Sequence, residues 1–465
     1  MNDKTKQPIC SRVSPENIAE ELRPLVNFQD EGLSFESLNE MIQKHLVPHL
    51  MHYDQPGFQS MFNAFPEDGA EFGAKLALSF NQGVTNWQVS PGGVVLEELC
   101  CRALCNLFGF SYQSDATFMY SGTYGNQEAL YLALHKKAEL EGFDLAKKGI
   151  KGFKNPNRLV ILTSSEAHFS IKHAARMLGL GEESLITLSV DSNRRIDVNL
   201  LKEAIEEIKD TKDVFFVFIT AGTTATGSVD PIQPIAKICQ EIGAWLHVDG
   251  AYGFAYSLVP EWKHLFEGVE LADSLCWNPH KQLGIPIPNS LLFIRQWEDF
   301  GRMTVYSDYF NRKEDPEPNP GLKSPPSTRP FQALPLVTSL RYQGMTKVIE
   351  RLKAPLIAIK TLYEKLLNEK DFELPHTPDT GILCFRIIPE GVPKDDLDEL
   401  QRYIFDNIMK ERERTISLTK LDNISFLRVV AISPAVTFEA LMETIEDVRA
   451  KVREFKFEKY SLKVI

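Results

Sequence analysis

Residues 214–249 read VFFVFITAGTTATGSVDPIQPIAKICQEIGAWLHVD, and their order decides the architecture. VFFVFIT is a short, unbroken apolar run, the pattern of a strand covered on both faces. The segment from Pro231 to Ile242 carries Ile232, Ile235, Ala236 and Ile238 at helical spacing. AWLHV then returns to a strand pattern and ends at Asp249. Outward from this unit the same alternation continues. LVILT (159–163), LITLSV (185–190) and SLLFI (290–294) read as strands, and 126–140 and 198–208 as helices. The alternation predicts an α/β chain with a mostly parallel sheet and helices on both faces.

The flanks differ. Residues 1 to about 85 read as helices and loops, with apolar spacing from Leu33 to Leu50. The run DPEPNPGLKSPPSTRP (315–330) is too rich in proline for a regular element, and fits either a linker or a mobile active-site loop. Beyond it come helical stretches (346–370, 394–412), strand candidates GILCFRII and FLRVVAIS, and a last helix with Phe438, Leu441, Met442, Ile445, Val448 and Val452 on one side. The expected division is an N-terminal helical segment (1–85), a large domain (86–345) and a small C-terminal α/β domain (346–465).

A net charge of −12 argues against nucleic acid or an anionic membrane as partner. No apolar run approaches the ~20 residues of a membrane span, and the polar start MNDKTKQPICSR has no signal-peptide core. Seven scattered cysteines suit reduced thiols in a cytoplasmic protein. Cys100, Cys101 and Cys105 lie on an amphipathic helical stretch with no second ligand group at zinc spacing. They read as inert buried thiols, and no metal site is expected.

Ligands of open α/β sheets bind beyond the carboxyl ends of the strands. The polar residues that follow the apolar runs are therefore the candidates: His168 in SSEAHFS, the turn AGTTATGS, Asp249, and Lys281 in NPHK. In MYSGTYGNQEAL (119–130) a glycine turn opens a helix, a plausible phosphate cradle. Neither glycine-rich turn ends in the Lys-Ser/Thr of a nucleotide-triphosphate loop. Read singly, Asp249 fits a strand-end cap, His168 a structural histidine and Lys281 a surface lysine. Together with a phosphate cradle they are the parts pyridoxal 5'-phosphate needs. A lysine in apolar surroundings supplies an amine for a carbonyl, and a carboxylate keeps the pyridine nitrogen protonated.

SEAHFSIKHAARMLGLG, TAGTTATGSVDPI, HVDGAY and NPHKQLGIP stand in an order that resembles the group II pyridoxal-phosphate-dependent amino-acid decarboxylases. The resemblance runs from about His52 to the C-terminus, and the spacing 281 − 249 = 32 fits it. It implies an aspartate-aminotransferase-like (fold type I) architecture with a seven-stranded sheet, and a homodimer with the active site at the interface. It implies that Lys281 holds the cofactor as a Schiff base, Asp249 pairs with the ring nitrogen, and His168 stacks on the ring. Gly122, Thr123 and Asn278 would hold the phosphate, His280 would flank the lysine, and Thr224 would lie near the phenolic oxygen. Tyr309 is similar to the family's loop tyrosine that returns a proton to Cα. Arg329 is similar to an arginine that orients the loop or the substrate carboxylate; both also fit plain loop residues.

Tyr124, Gly250 and Phe254 depart from the family's pattern. Trp87, in NWQVSPGG, resembles a substrate-pocket residue of the members acting on aromatic amino acids, though a packed interface tryptophan fits as well. The implied reaction is decarboxylation of an L-amino acid, with an aromatic or bulky substrate favoured. The alternatives are an acidic amino-acid decarboxylase, an aldehyde-forming enzyme or lyase with the same cofactor, and a non-enzymatic relative.

Overall fold

The computed structural model describes residues 9–461 except 12. Residues 1–8 of the polar N-terminal stretch lie outside the described residues. The chain falls into two compact units. One comprises residues 66–356 and 375–382, the other 1–65, 357–374 and 383–465.

The first unit is built on seven strands: β1 (Asp115–Met119), β2 (Leu159–Ser164), β3 (Leu185–Leu188), β4 (Asp213–Thr220), β5 (Trp245–Asp249), β6 (Ser274–Trp277) and β7 (Ser290–Ile294). Their spatial order is β1-β7-β6-β5-β4-β2-β3. β7 runs antiparallel to both neighbours, and the pairs from β6 to β3 are parallel. This is the mostly parallel α/β sheet that strand–helix alternation implied. The central strands are buried on both faces, which is why they read as unbroken apolar runs and not as an alternation.

Local chemistry places the crossover helices. Asp197 caps Val198–Ile208 by accepting from the Asn199 and Leu200 amides. Ile232–Ile242 stops at Gly243, whose φ of +69° is a left-handed C-cap. The helix Gly122–Leu140 starts at Ser121, whose hydroxyl accepts from the Tyr124 amide. Its buried face (Ala129, Leu130, Ala133) joins Ile161, Phe216, Phe218 and Leu292 in one core. A fully buried phenylalanine such as Phe218 contributes roughly 1.5–3 kcal/mol.

The second unit carries strands β8 (Phe372–Glu373), β9 (Ile382–Ile387), β10 (Ser417–Leu421) and β11 (Ile424–Val430), ordered β10-β11-β9-β8. The helices Leu397–Glu411 and Phe438–Lys456 pack on it through Leu400, Ile404, Leu441, Ile445 and Val448. The 35-residue helix Ala333–Leu367 is broken at Gly344, where φ is +70°.

Candidate active site

Parallel register gathers the candidates. Thr220, Asp249 and Cys276 are direct partners across β4, β5 and β6, so the residues that follow each strand leave the sheet side by side. Gly122 follows β1, His168 follows β2, Thr224 follows β4, and Asn278, His280 and Lys281 follow β6. These six and Asp249 belong to one edge of the sheet.

Asp249 is buried and its two oxygens are separately held. Oδ1 accepts from the Ala251 amide at 3.1 Å and Oδ2 from Asn126 Nδ2 at 2.9 Å. Behind Asn126 runs a directed chain of hydrogen bonds. Asn126 Oδ1 can only accept, so His247 Nε2, 2.9 Å away, carries the proton. His247 Nδ1 then accepts from Ser274 Oγ at 2.8 Å, and Ser274 accepts from Trp245 Nε1 at 2.8 Å. The chain requires a neutral His247, and complete burial lowers its pKa to about 4.

His168 is half-buried, and its Nδ1 accepts from the Ser170 amide at 3.2 Å. Burial lowers its pKa; Asp249 opposes this and Lys281 adds to it. His280 accepts at Nδ1 from the Asn289 amide (3.1 Å). Its pKa falls to about 4, from burial first and the neighbouring Lys281 charge second. Lys281 is half-buried, its amide bonded to Asn278 O at 3.0 Å, with Leu283 and Ile285 buried beyond it. The lysine thus sits half-buried just ahead of buried apolar residues in the chain, with His168 and His280, whose pKa values burial lowers, as titratable neighbours.

The glycine turn is shaped by a close approach. A Cβ on Gly122 would sit 3.0 Å from Asn278 Nδ2 and 3.3 Å from the Ala251 methyl. One on Gly125 would meet Cys276 Sγ at 3.1 Å. The N-terminus of a 19-residue helix, its glycine, half-buried Thr123 and buried Asn278 together suit an anion. A doubly held carboxylate, a half-buried lysine and this cradle fit pyridoxal phosphate. Thr224 lies exposed in the turn after β4.

Three candidates lie apart from this cluster in character. Trp87 is 42% exposed and Tyr309 is 87% exposed. Arg329 is 3% exposed and structural in its contacts: it pairs with Glu97, and Nη1 donates to Pro320 O (2.5 Å), Ser324 Oγ (3.1 Å) and Thr117 Oγ1 (3.2 Å). The proline-rich run it closes is tied down. Val84 N donates to Arg329 O and Gly321 N to Thr85 O, while Lys323 pairs with Glu98 and Asp115. These contacts join the run 315–330 to the helix Pro91–Leu107, to β1 and to the segment around Val84 within the first unit. Asn311, with φ +60°, accepts from both Asn86 and Asn319 and so ties the Tyr309 turn to the Trp87 segment.

Sequence reasoning missed Asn126, His247, Ser274 and Glu97. His247 had a readable signal, since it stands two residues before Asp249 and so on the same face of β5. Asn126 lies one helical turn beyond Gly122. Glu97 had none, because its partner is 232 residues away.

The pyridoxal-dependent decarboxylase conserved domain matches residues 15–388. The chain is 26% identical over 451 residues to the L-2,4-diaminobutyrate decarboxylase of Acinetobacter baumannii, covering 94% of this chain and 88% of that one. It is 25% identical over 463 residues to the aromatic-L-amino-acid decarboxylase of Bacillus atrophaeus, covering 98% and 92%. Among solved structures, Oryza sativa TDC with PLP and tryptamine superposes with a TM-score of 0.87 at 21% identity, over 96% of this chain and 93% of that one. No helix among the described residues is long and apolar enough to cross a membrane. The fold, the sheet-edge cluster and the match over most of the chain agree: this chain belongs to the pyridoxal-dependent decarboxylase family.

Proposed function

We propose that the sheet-edge cluster removes the carboxylate of an L-amino acid with an aromatic or bulky side chain, yielding its amine. The observation that carries this is the convergence of the Gly122 cradle, the doubly held Asp249, His168 and half-buried Lys281 at the ends of parallel strands. Pyridoxal phosphate, when bound, supplies an electron sink for the pair left by departing carbon dioxide.

The protein's part is binding, orientation and proton placement. Gly122, Thr123 and Asn278 would hold the phosphate. Asp249, fixed by Asn126 and Ala251, would accept a hydrogen bond from the protonated ring nitrogen. His168, its Nδ1 engaged by Ser170 so that Nε2 carries the proton, would pack against the ring. Thr224 would serve the phenolic oxygen, and His280 flanks the lysine. Lys281 would hold the cofactor through its amine. Tyr309, on an exposed loop, is available to return a proton to Cα; its presence favours amine over aldehyde. Trp87 borders the substrate side chain. Arg329 acts through the loop it anchors. In this reading the large domain, 86–345, carries the site and 346–465 forms the small one.

The enzyme works as a cytoplasmic homodimer. Seven free, buried cysteines support the compartment. The N-terminal helices support the dimer: Pro15–Leu22 and Phe35–His45 bury no residue, and Phe28, Leu33 and Phe35 are exposed.

The test is chemical. Holoenzyme reduced with borohydride and digested should carry the pyridoxyl group on Lys281. An amino-acid panel scored for amine, aldehyde, ammonia and peroxide should give amine, fastest with aromatic substrates. Covalent cofactor on another residue, or turnover surviving Lys281→Ala, overturns the reading.

A further inference from the structure

We propose that a cavity beside the glycine turn is a second binding site, for a small molecule bearing a primary ammonium group, with Glu128 as its acid. The cavity measures about 420 Å³ and is lined by Glu128, Tyr120, Tyr124, Tyr131 and Arg329 among others. Gly122, Thr123, His168, Asp249, Asn278 and Lys281 do not line it. The helix Gly122–Leu140 explains the separation. Asn126 turns toward Asp249, and Glu128, two residues on, points about 200° away.

Glu128 is 4% exposed, and neither carboxylate oxygen has a hydrogen-bond partner among the described residues. Burial pushes its pKa well up, opposed by Arg329. A sealed acid without a donor is unfavourable until a cation or donor reaches it. Arg329, which lines the same cavity, lowers the Glu128 pKa through its charge but does not hydrogen-bond it: Nη1 and Nη2 are engaged by Glu97, Thr117, Pro320 and Ser324, and Nε has no partner among the described residues. An ammonium group brings three donors and a charge that the carboxylate can match. The rings of Tyr120, Tyr124 and Tyr131 add attraction for a cation and an apolar wall for its body. Tyr124, one of the residues that departs from the family's pattern, is part of this wall.

Two sources could supply that chemistry, an amino acid or the amine made from it; naming them rests on the proposed function, but the binding does not. The probes are phenylalanine and phenethylamine, titrated by calorimetry into borohydride-reduced holoenzyme, where the Lys281 site is blocked. If no cofactor is trapped on Lys281, the proposed function fails, and the same titration is run on the protein as purified. At least one probe should bind saturably at one site per chain. Glu128→Gln, which keeps the shape, should weaken it about tenfold or more. Binding of phenethylamine alone identifies the amine as the source, and binding of both identifies any ammonium. An unchanged melting temperature checks that the variant is folded, and Tyr131→Leu, which should weaken binding without touching the acid, serves if it is not. Absence of saturable binding, or equal affinity of wild type and Glu128→Gln, overturns the site.

Discussion

Asp249 is oriented by a residue that never touches the reacting atoms. Asn126 donates to its Oδ2 and in turn accepts from His247. Asn126→Leu leaves Asp249 Oδ2 and His247 Nε2 without partners, at a cost of about 1–3 kcal/mol for an orphaned buried group. The expected result is a fall of about tenfold or more in cofactor affinity, with the sheet still folded by circular dichroism. Unchanged affinity would show that Asp249 holds its place without the relay. Gly122 is constrained from the other side. Gly122→Ala puts a methyl 3.0 Å from Asn278 Nδ2, so the amide must shift, and cofactor release measured by dialysis should quicken.

At the scale of elements, the loop bearing Tyr309 is framed by fixed points. Arg329 is the chief one, buried against Glu97 on the helix Pro91–Leu107 and bonded to Thr117 on β1. Removing one member of a buried ion pair costs about 3–5 kcal/mol, because the other is left charged and alone. Arg329→Met should therefore lower stability in urea by that order, without substrate present. Adding Glu97→Gln should restore a large part of it. A role limited to binding substrate predicts no change in stability, so the urea midpoint separates the two. Asn311 ties the same loop to Asn86. Its left-handed backbone suits asparagine, and the sequence carried no sign of this.

Across the whole molecule, two buried groups oppose each other with pH. His247 has a folded pKa of about 4, below the ~6.5 of a free imidazole. Between these values the unfolded chain binds more protons, so its stabilisation is complete above pH 6.5 and lost as pH falls toward 4, on the order of 3 kcal/mol. Asp230 lies the other way. Burial raises it to about 7, against the amide bonds from Ile196 and Thr220 that lower it. The folded chain then holds the extra proton, so this contribution is complete below pH ~3.8 and lost as pH rises toward 7. Urea midpoints followed from pH 7 to 4.5 should show wild type losing ground to His247→Asn and gaining it on Asp230→Asn. Parallel curves for the three proteins would refute both assignments. Sedimentation of the wild type at micromolar concentration should give twice the chain mass; a monomer would remove the proposed homodimer.

Periodicity along the chain determined the strands, the helices and their alternation, because each is a local pattern. The helix Val198–Ile208 and the strand Ser290–Ile294 fall on the residues their apolar spacing marked. The strands β1 and β10 did not announce themselves, since one is a five-residue piece followed by a glycine turn and the other, SLTKL, mixes polar and apolar residues without an apolar run. The motifs also marked Gly122, His168, Asp249 and Lys281, because residues at strand ends of a parallel sheet share one edge wherever the sheet forms. What lies between distant segments was decided by tertiary structure alone. The Trp245–Ser274–His247–Asn126–Asp249 chain, the Glu97–Arg329 pair and the unpartnered Glu128 beside its cavity each depend on side chains brought together only when the sheet closes. Hydrogen bonds and burial act over a few ångströms, and one sequence shows no distances between residues a hundred positions apart.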